Sequence, residues 1–442
     1  MRYIVMGLGR LKITLWLLVV FVFGFSPVSF AETKSVLTDQ EVTQFINTLN
    51  VIKKSYAEDL SDKQLLESAE KGMVDNLDPH SEYLDESSYK ELISTTSGEF
   101  GGIGIEVTSQ YGVLKVVSPL EGSPAEKAHI KSGDFIVALD GRALNQLSSE
   151  QAINMMHGKE GTQVTLTILR KDEKEPLKIT VTRAIIHTDS VKSELLAPGY
   201  GYVHINQFQR ATNDLLVAAI TQMKKDSGGQ LKGLILDLRN NPGGLLETAV
   251  SVANTFLDSD KALPFKKVIV YTEGRLANSE YHAFATGHDI LQGAPLLILI
   301  NEGSASASEI VAGALQDYHR AVIVGQTSFG KGSVQTIMPL DDTHAVKLTT
   351  ALYHTPSGRL IQNQGISPDI IVTNLKMKVA EASDVTIDPV REFQLKDHIS
   401  NQNNSADIES LQKKAMALAA DDFQLYESLN ILKTMTLTDR AH

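Results

Sequence analysis

Cysteine is absent from the 442 residues of this chain. Its absence excludes disulfides, a thiol nucleophile and metal sites built on cysteine ligands. The sequence also lacks an H-E-x-x-H motif, and His282 and His288 stand six residues apart, a spacing that suits no single helix face. We therefore predict no metal and no cofactor.

The chain also has fewer basic than acidic residues. Lys and Arg number 41 against 53 Asp and Glu, and the formal net charge is −12. Proteins that bind nucleic acids neutralise phosphates with clustered Lys and Arg. A nucleic-acid partner is therefore not expected.

The N-terminal apolar run is too short to span a membrane, which takes about 20 residues. It extends from Ile13 to Phe25, follows Arg2, Arg10 and Lys12, and precedes small residues at positions 29 and 31. This pattern predicts a signal peptide over residues 1–31 and an exported, periplasmic protein. Cleavage would change the net charge from −12 to −15, because the segment carries three positive charges and no acids. If the segment is not cleaved, it would anchor the protein in the inner membrane.

The character of the chain changes several times after this segment. Residues 32–96 are helical in pattern, and residues 97–185 read as short alternating strands such as Phe135–Leu139. Over residues 186–375, apolar strands alternate with helical stretches, which is typical of a layered α/β core. Residues 376–442 return to helices after an Asn/Ser-rich linker. We predict a multidomain α/β protein with helical N- and C-terminal regions.

The most informative stretch for catalysis joins the apolar run Leu296–Ile300 to a helical pattern that starts after Ser306. Backbone N–H groups point outward at a helix N-terminus, so an oxyanion beside Ser306 would meet oriented donors. Lys331, between two glycines, could be the base. A simpler structure fits as well, because Ser306 and Glu309 make the S-x-x-E of a capping box.

Motifs elsewhere in the chain favour the catalytic interpretation. SASASEIVAGALQD and VGQTSFGKGSVQ, with LDPHSEYL, DLRNNPGG, YHTPSGRLIQ and GISPD, resemble the carboxyl-terminal processing proteases from about Leu77 to Val372. These are serine endopeptidases with a Ser/Lys centre. The resemblance implies a crotonase-like protease core with an inserted PDZ domain. It also implies that Ser306 is the nucleophile, Lys331 the general base and Gln335 the residue that orients the lysine.

A Ser/Lys pair works only if the lysine is neutral. An ordinary lysine has a pKa of about 10.4, and burial can lower it by ~3 to 5 units, into the range of a general base. The alternative is a solvated lysine in a glycine turn. Gln335, four residues after Lys331, shares its face of a strand, but contact needs a bend at Gly332. Without that bend, Gln335 is an ordinary strand residue.

The oxyanion needs two donors. The Ala307 N–H directly follows the nucleophile and is the first choice. The second is expected from the turn 240–244, where Gly243 and Gly244 let backbone amides approach a ligand closely. The sequence does not choose between these glycines, and Pro-Gly-Gly is also frequent in ordinary turns.

Glycines also open the first strand of the PDZ-like region, in Gly101–Ile105. Amides of Gly102, Ile103, Gly104 and Ile105 could form a nest for a terminal carboxylate, while the strand edge accepts a peptide by augmentation. A glycine-rich strand start without a ligand is the alternative. His129 stands where the family usually has glycine, which makes a turn with positive φ less favourable there.

The segment Gly325–Gly332 nearly matches the phosphate-binding G-x-x-x-x-G-K-[ST] loop, and nucleotide hydrolysis is thus a rival hypothesis. Gly332 offers no hydroxyl for magnesium. Ser333–Ile337 alternates like a strand, whereas a phosphate loop must open a helix. We therefore do not expect nucleotide binding.

Together these patterns predict an exported serine endopeptidase that recognises the unstructured C-terminal tails of protein substrates through its PDZ domain. Cleavage is assigned to Ser306 and Lys331. A non-catalytic PDZ scaffold that keeps the protease fold is the alternative. The resemblance further implies an adaptor or activator protein and a homo-oligomer formed through the terminal helices.

Overall fold

The computed structural model describes residues 37–110, 112–171, 173–261, 264–276, 279–375 and 405–438. The chain divides into two compact units, Met1–Ala69 and Glu70–His442. The signal peptide predicted over residues 1–31 lies outside the described residues. None of the helices in the described ranges has the length and hydropathy of a transmembrane span.

Side-chain caps begin several of the helices: Thr38, Asp85, Ser123 and Ser148 each accept a hydrogen bond from the backbone of the first turn. The described helices are α1 Asp39–Ser55, α2 Asp62–Asp75, α3 Glu86–Ser97, α4 Pro124–Lys127, α5 Ser149–Met156, α6 Thr212–Asp226, α7 Leu246–Thr255, α8 Ala307–Asp317, α9 Ser405–Asp421 and α10 Phe423–Thr438. Short 3-10 turns occur at Leu144–Gln146 and Phe265–Lys267.

The described strands are β1 Glu82–Leu84, β2 Glu99–Gly102, β3 Ile105–Gln110, β4 Val113–Pro119, β5 Phe135–Leu139, β6 Arg142–Ala143, β7 Gln163–Leu169, β8 Leu177–Thr182, β9 Ala184–His187, β10 Val191–Ala197, β11 Tyr200–Ile205, β12 Gly233–Asp237, β13 Val268–Gly274, β14 Tyr281–Phe284, β15 Leu296–Ile300, β16 Ala321–Gly325, β17 Ser333–Pro339, β18 Ala345–His354 and β19 Ile370–Ile371. β15 has the bounds of the apolar run in the sequence.

The first unit contains α1 and the beginning of α2. Thr38 and Glu41 form a capping box at the start of α1, and Lys53 pairs with Asp62 after its end. The apolar stripe of α1 is exposed: Phe45 retains 45% of its accessible surface. The use of this stripe in assembly stays a prediction.

The second unit is built around a six-stranded sheet with the order β10-β11-β12-β15-β16-β19. β11 to β19 are parallel, and β10 is antiparallel at the edge. Every residue of β12 and β15 is buried, as expected for strands covered on both faces. Leu234 and Leu236 pack on one face with α6, α7 and α8, whereas Ile235 packs on the other face with α10.

The leucines of α10 pack against the six-stranded sheet of the same chain. Leu425, Leu429 and Leu432 are 6%, 6% and 0% exposed and pack on the outer face of the six-stranded sheet. The sheet of the same chain therefore covers this apolar face of α10. Because these leucines are already buried, they give no support to assembly through the terminal helices, which stays a prediction.

A second sheet has the order β1-β18-β13-β14, with β17 also paired to β18. The helical interpretation of residues 32–96 is wrong for β1. Asp78 accepts hydrogen bonds from the backbone of His80 and Ser81, which turns the chain after α2, and β1 then pairs with the start of β18. Pairing with β18 satisfies backbone groups that a helix would otherwise have satisfied internally.

The strands predicted within 97–185 form a separate sheet, β3-β4-β5-β7-β8, with β6 on β5. Its apolar residues form a core of their own, which includes Val116, Ile136 and Leu166. β2 pairs with β9, so the chain leaves the second unit's core and returns at neighbouring positions. His129 adopts φ 60°, and its carbonyl accepts a hydrogen bond from Arg170 at 2.9 Å. The positive-φ turn thus forms despite the histidine.

Candidate active site

Ser306 stands at the junction between a strand and a helix. β15 ends at Ile300 and α8 begins at Ala307. The backbone of Ser306 has φ 56° and ψ −113°. A positive φ strains a residue other than glycine, and nucleophiles on sharp strand-to-helix turns are held in this way. The turn therefore favours a functional serine over an ordinary helix cap.

The two neighbouring serines are structural. The Ser304 hydroxyl donates to the Leu238 carbonyl at 2.8 Å, and the Ser308 hydroxyl donates to the Asn241 carbonyl at 2.9 Å. Both side chains are fully buried. Ser306 is the partly exposed serine of this turn, so it is the one that a substrate can reach.

The Ser306 hydroxyl does not cap the helix. Its oxygen lies 2.7 Å from the hydroxyl oxygen of Tyr353. The carboxylate of Glu309 accepts a hydrogen bond from Ser306 N at 2.8 Å, which is the half of a capping box that the third helical residue supplies. Glu309 therefore satisfies the backbone N–H of Ser306, while the Ser306 hydroxyl is not used to cap the helix.

Glu309 joins the serine turn to the lysine loop. Its carboxylate is fully buried and accepts from the Ser328 hydroxyl at 2.5 Å and from Gly330 N at 2.7 Å on Oε1. On Oε2 it accepts from Ser306 N at 2.8 Å and from Lys331 N at 2.9 Å. Because one oxygen makes both contacts, Ser306 N and Lys331 N are at most 5.7 Å apart, the sum of 2.8 and 2.9 Å.

Burial raises the pKa of Glu309, and its hydrogen bonds from Ser328, Gly330, Ser306 and Lys331 oppose that rise. Three of these four donors are backbone amides, which can only donate. An ionised carboxylate matches them, since it has only acceptor sites.

Lys331 is half-buried next to this junction. Burial lowers the pKa of Lys331, and the neighbouring charge of Lys347 lowers it further, whereas Glu309 and Asp78 raise it. The balance favours a neutral amine more than in water, as a general base requires. Within the described residues no hydrogen bond joins Lys331 Nζ to Ser306 Oγ, so the base assignment stays a prediction.

Gln335 contacts one hydroxyl on its own strand β17 and one on the neighbouring strand β18. Its side-chain amide donates to Ser333 Oγ at 2.9 Å and to Thr349 Oγ1 at 3.4 Å. Thr349 Oγ1 in turn donates to Asp78 at 3.0 Å. The strand pairing shifts register between Val334 and Gln335, which is a bend two residues beyond the expected one. Orientation of Lys331 by Gln335 stays a prediction.

Two predicted oxyanion donors lie beside Ser306. Within the described residues Ala307 N has no hydrogen-bond partner, as is usual for the first helical amide. Gly243 touches the same turn, because a Cβ added there would lie 3.0 Å from Ala307 N. Gly243 N donates to Asn241 Oδ1 at 2.9 Å, whereas the part of the chain described here offers no partner to Gly244 N. Both glycines therefore stay candidates for the second donor.

An ion-pair network holds the start of this glycine turn. Arg239 donates hydrogen bonds to the carboxylates of Asp237 and Asp422, and Asp422 lies at the junction between α9 and α10. Against the effect of burial, hydrogen bonds to Asp422 and Asp237 raise the pKa of Arg239. The Asn301 side chain also accepts from Asn240 N at 2.8 Å, which ties the glycine turn to the serine turn. The C-terminal helices thus support the active-site loop.

Within the described residues, the predicted peptide-binding loop pairs two of its carbonyls and leaves two of its amides without a hydrogen-bond partner. The carbonyl of Ile103 accepts from Ala125 N at 2.9 Å, and that of Gly104 accepts from Leu120 N at 3.0 Å. In the described ranges the amides of Ile103 and Gly104 have no such partner. Gly104 has φ 73°, outside the range of a strand, and β3 begins directly after it at Ile105. β3 lies at the edge of its sheet, where a peptide strand could pair.

The segment that resembled a phosphate loop has another role. After Gly332 the chain enters β17 and forms no helix. Phosphate binding by a helix N-terminus is therefore ruled out for this loop. Asp258, Asp260 and His288 lie close enough together to hold a metal ion, but exposed acidic groups of this kind are common without one. The prediction of a metal-free site is unchanged by this cluster.

Family models match three parts of the chain: peptidase family S41 over residues 199–372, a PDZ domain over 101–181, and the N-terminal domain of the activating protease CtpB over 27–88. A carboxy-terminal-processing protease from Bartonella bacilliformis is 42% identical over 397 residues, which cover 90% of this chain and 89% of that protein. The chain belongs to the carboxy-terminal-processing proteases of peptidase family S41.

Other relatives of this S41 peptidase carry similar descriptions. A probable CtpA-like serine protease from Staphylococcus aureus is 38% identical over 77% of this chain and 66% of its own length. A solved photosystem II D1 C-terminal processing protease is 30% identical, with a TM-score of 0.43 over 74% of this chain and 86% of that one. The family makes this protein a serine-type peptidase with a PDZ domain, which confirms the predicted enzyme class and fold.

Two contacts of the S41 site were missed by sequence reasoning. Tyr353 belongs to the quoted motif YHTPSGRLIQ, but nothing in that motif indicated a contact with Ser306, 47 residues away. Glu309 was noticed only as a capping residue. Its spacing from Ser306 was the available signal, and its contacts with the lysine loop depend on tertiary structure.

Proposed function

We propose that this S41 peptidase is an exported endopeptidase whose PDZ domain binds the unstructured C-terminal tail of a protein substrate, while Ser306 and Lys331 cleave the substrate. One observation carries the proposal. Glu309 Oε2 lies within hydrogen-bond distance of both Ser306 N and Lys331 N, although 25 residues separate the two. The shared carboxylate supports a single site for nucleophile and base.

The proposed reaction follows from these positions. Neutral Lys331 Nζ takes the proton from Ser306 Oγ as Oγ bonds to the scissile carbonyl carbon. Ala307 N–H and an amide of Gly243 or Gly244 hold the oxyanion. Lys331 then protonates the leaving amine as the C–N bond breaks, which leaves an acyl-enzyme. Water, deprotonated by Lys331, releases the acyl product, and Ser306 regains its proton.

Completion of the pair requires Lys331 Nζ to reach Ser306 Oγ. The backbone nitrogens of the two residues are at most 5.7 Å apart, the sum of 2.8 and 2.9 Å. A lysine side chain has four rotatable bonds, and we expect a change of rotamer to bring the two atoms together. Substrate binding is the event that we expect to favour this rotamer.

A panel of alanine variants tests the catalytic assignment. We expect Ser306→Ala and Lys331→Ala to abolish cleavage of a partly unfolded protein with a free C-terminal tail. Ser304→Ala and Ser308→Ala should lower stability and keep cleavage, because both hydroxyls bond backbone carbonyls. Activity in Ser306→Ala would contradict the assignment. A wild-type protein that binds tails and cleaves none would favour the non-catalytic scaffold.

Tail recognition has its own test. The amides of Ile103 and Gly104, which have no hydrogen-bond partner among the described residues, support capture of a terminal carboxylate. A substrate whose C-terminus is amidated should bind more weakly and be cleaved more slowly than the same sequence with a free carboxylate. Equal cleavage of the two forms would contradict recognition of the terminal carboxylate.

Export, partners and assembly complete the proposal. N-terminal sequencing of protein from the periplasmic fraction should begin at Glu32, after cleavage at Ala31, and an intact Met1 in a membrane fraction would indicate an anchor instead. We also propose an adaptor or activator protein and a homo-oligomer. Capture on Ser306→Ala followed by mass spectrometry identifies the partners, and light scattering gives the oligomeric state.

A further inference from the structure

Tyr353 lies at the contact between the two halves of the site. It is on β18, its backbone N–H donates to the carbonyl of Gly332 in the lysine loop at 2.8 Å, and its side chain is only 3% exposed. Its hydroxyl oxygen lies 2.7 Å from Ser306 Oγ. The tyrosine is therefore fixed to the lysine loop and touches the oxygen that is proposed to attack the substrate.

The direction of this hydrogen bond follows from burial. Within the described residues, the partner of the Tyr353 hydroxyl is Ser306 Oγ. A buried O–H that donates to nothing is strongly unfavourable, so the tyrosine proton is directed to Ser306 Oγ. Ser306 is partly exposed and can direct its own proton elsewhere. The arrangement leaves the serine proton free to point to Lys331.

We infer that Tyr353 is a catalytic residue of this site, which donates a hydrogen bond to Ser306 Oγ throughout the acylation step. The inference rests on the proposed function, because it takes Ser306 as the nucleophile. It assigns a third side chain to the Ser306/Lys331 pair.

The donated hydrogen bond acts on the charge of the attacking oxygen. As Lys331 takes the serine proton, negative charge develops on Oγ, and the bond from Tyr353 strengthens in the transition state. The tyrosine keeps its proton throughout, so the transfer remains between Ser306 and Lys331. In deacylation the same bond stabilises Oγ as the acyl carbon leaves it. The hydroxyl also fixes the Ser306 rotamer before the substrate arrives.

The environment of Tyr353 keeps the phenol protonated. Burial raises the pKa of Tyr353, the hydrogen bond with Ser306 opposes this, and the charge of Glu309 raises it further. A phenolate could not donate to Ser306. The neutral form needed for the inferred role is therefore the form present at neutral pH.

The test compares Tyr353→Phe with Tyr318→Phe. Phenylalanine keeps the ring and removes only the hydroxyl. Tyr318 is the matched control, because its hydroxyl donates to the carbonyl of Val268 at 2.7 Å, away from Ser306. For each variant, kcat and KM on a tailed substrate and the rate of phosphonylation of Ser306 by a fluorophosphonate are measured, together with the thermal transition.

We expect Tyr353→Phe to lower kcat and the phosphonylation rate by about 10²-fold with KM nearly unchanged. Tyr318→Phe should keep both rates even if its melting temperature falls. Rates in Tyr353→Phe that equal or exceed those of the wild type overturn the inference. Inactive Ser306→Ala beside fully active Tyr353→Phe removes the tyrosine role alone, whereas active Ser306→Ala removes the proposed function itself.

A second substitution covers the case in which Tyr353→Phe does not fold. 3-Fluorotyrosine at position 353 keeps the shape and the hydroxyl but is a stronger hydrogen-bond donor. We expect faster phosphonylation of Ser306 at neutral pH. A rate equal to or below that of the wild type overturns the inference.

Discussion

Backbone amides of the serine turn and the lysine loop bind a carboxylate of the chain itself, whereas the PDZ glycine loop has amides without a hydrogen-bond partner among the described residues. Amides of Ser306, Gly330 and Lys331 converge on the buried carboxylate of Glu309. The amides of Ile103 and Gly104 have no hydrogen-bond partner among the described residues. An internal carboxylate fixes a geometry before the substrate arrives, whereas an open nest is available to an external carboxylate.

The largest effect is expected at the base. Lys331→Ala and Lys331→Arg should each lower turnover by ~10² to 10⁴-fold, because neither side chain can accept the serine proton. Arginine is a long side chain that stays protonated, so this variant tests whether the site needs an amine that can become neutral. Steady-state kinetics on a tailed substrate measures the effect. Substantial activity in Lys331→Arg would mean that another group is the base.

The internal carboxylate is the next target. Glu309→Gln should lower the free energy of unfolding by about 3 kcal/mol, because the amide replaces a buried charge that faces three backbone donors. It should also impair cleavage, since the serine turn and the lysine loop lose their common acceptor. Urea denaturation measures the first effect. Glu302→Gln, an exposed change in the same turn, should stay within about 0.5 kcal/mol of the wild type.

A substitution in the PDZ glycine loop should have a smaller effect, which is on the binding of a tail peptide. Gly104→Ala should raise the Kd for a tail peptide about tenfold, because a Cβ there would lie 2.5 Å from Ser123 Cβ and distort the amide nest. Gly112→Ala is the control: it has a similar positive φ of 76° but open space around it. Calorimetry with a tail peptide gives both Kd values. Equal effects of the two substitutions would mean that only backbone strain was measured.

The smallest effects are shifts in pH dependence. Activity should rise with pH as Lys331 loses its proton, because the neutral amine is the active form. The charge of Lys347 lowers the pKa of Lys331, so Lys347→Gln should move the acidic limb of the kcat/KM profile to higher pH. Asp78 raises that pKa, so Asp78→Asn should move the limb to lower pH. Shifts in the same direction would contradict this electrostatic account.

Much of the fold could be predicted from sequence pattern. The apolar run Leu296–Ile300 gave the bounds of β15, because a strand buried on both faces has only apolar positions. β1 could not be predicted, since its three residues depend on pairing with β18 rather than on their own pattern. The positive φ of Gly104, after which β3 begins at Ile105, could not be predicted either, because the sequence position alone does not reveal it.

The candidate site, like the fold, could be predicted only in part from sequence. The strand-to-helix turn at Ser306 and the candidate Lys331 were visible from spacing and motif. The contact with Tyr353 and the three hydrogen bonds from the lysine loop to Glu309 were not, because tertiary folding brings these residues together from separate elements. Local sequence thus indicates which groups can react, and packing decides how they are held.

The most direct test of the central claim is to map the site of fluorophosphonate labelling by mass spectrometry. We predict one adduct, on the peptide that carries Ser306, with a labelling rate that increases as Lys331 is deprotonated and that falls sharply in Lys331→Arg. An adduct on Ser304 or Ser308, or labelling that persists in Ser306→Ala, would contradict the assignment of the nucleophile.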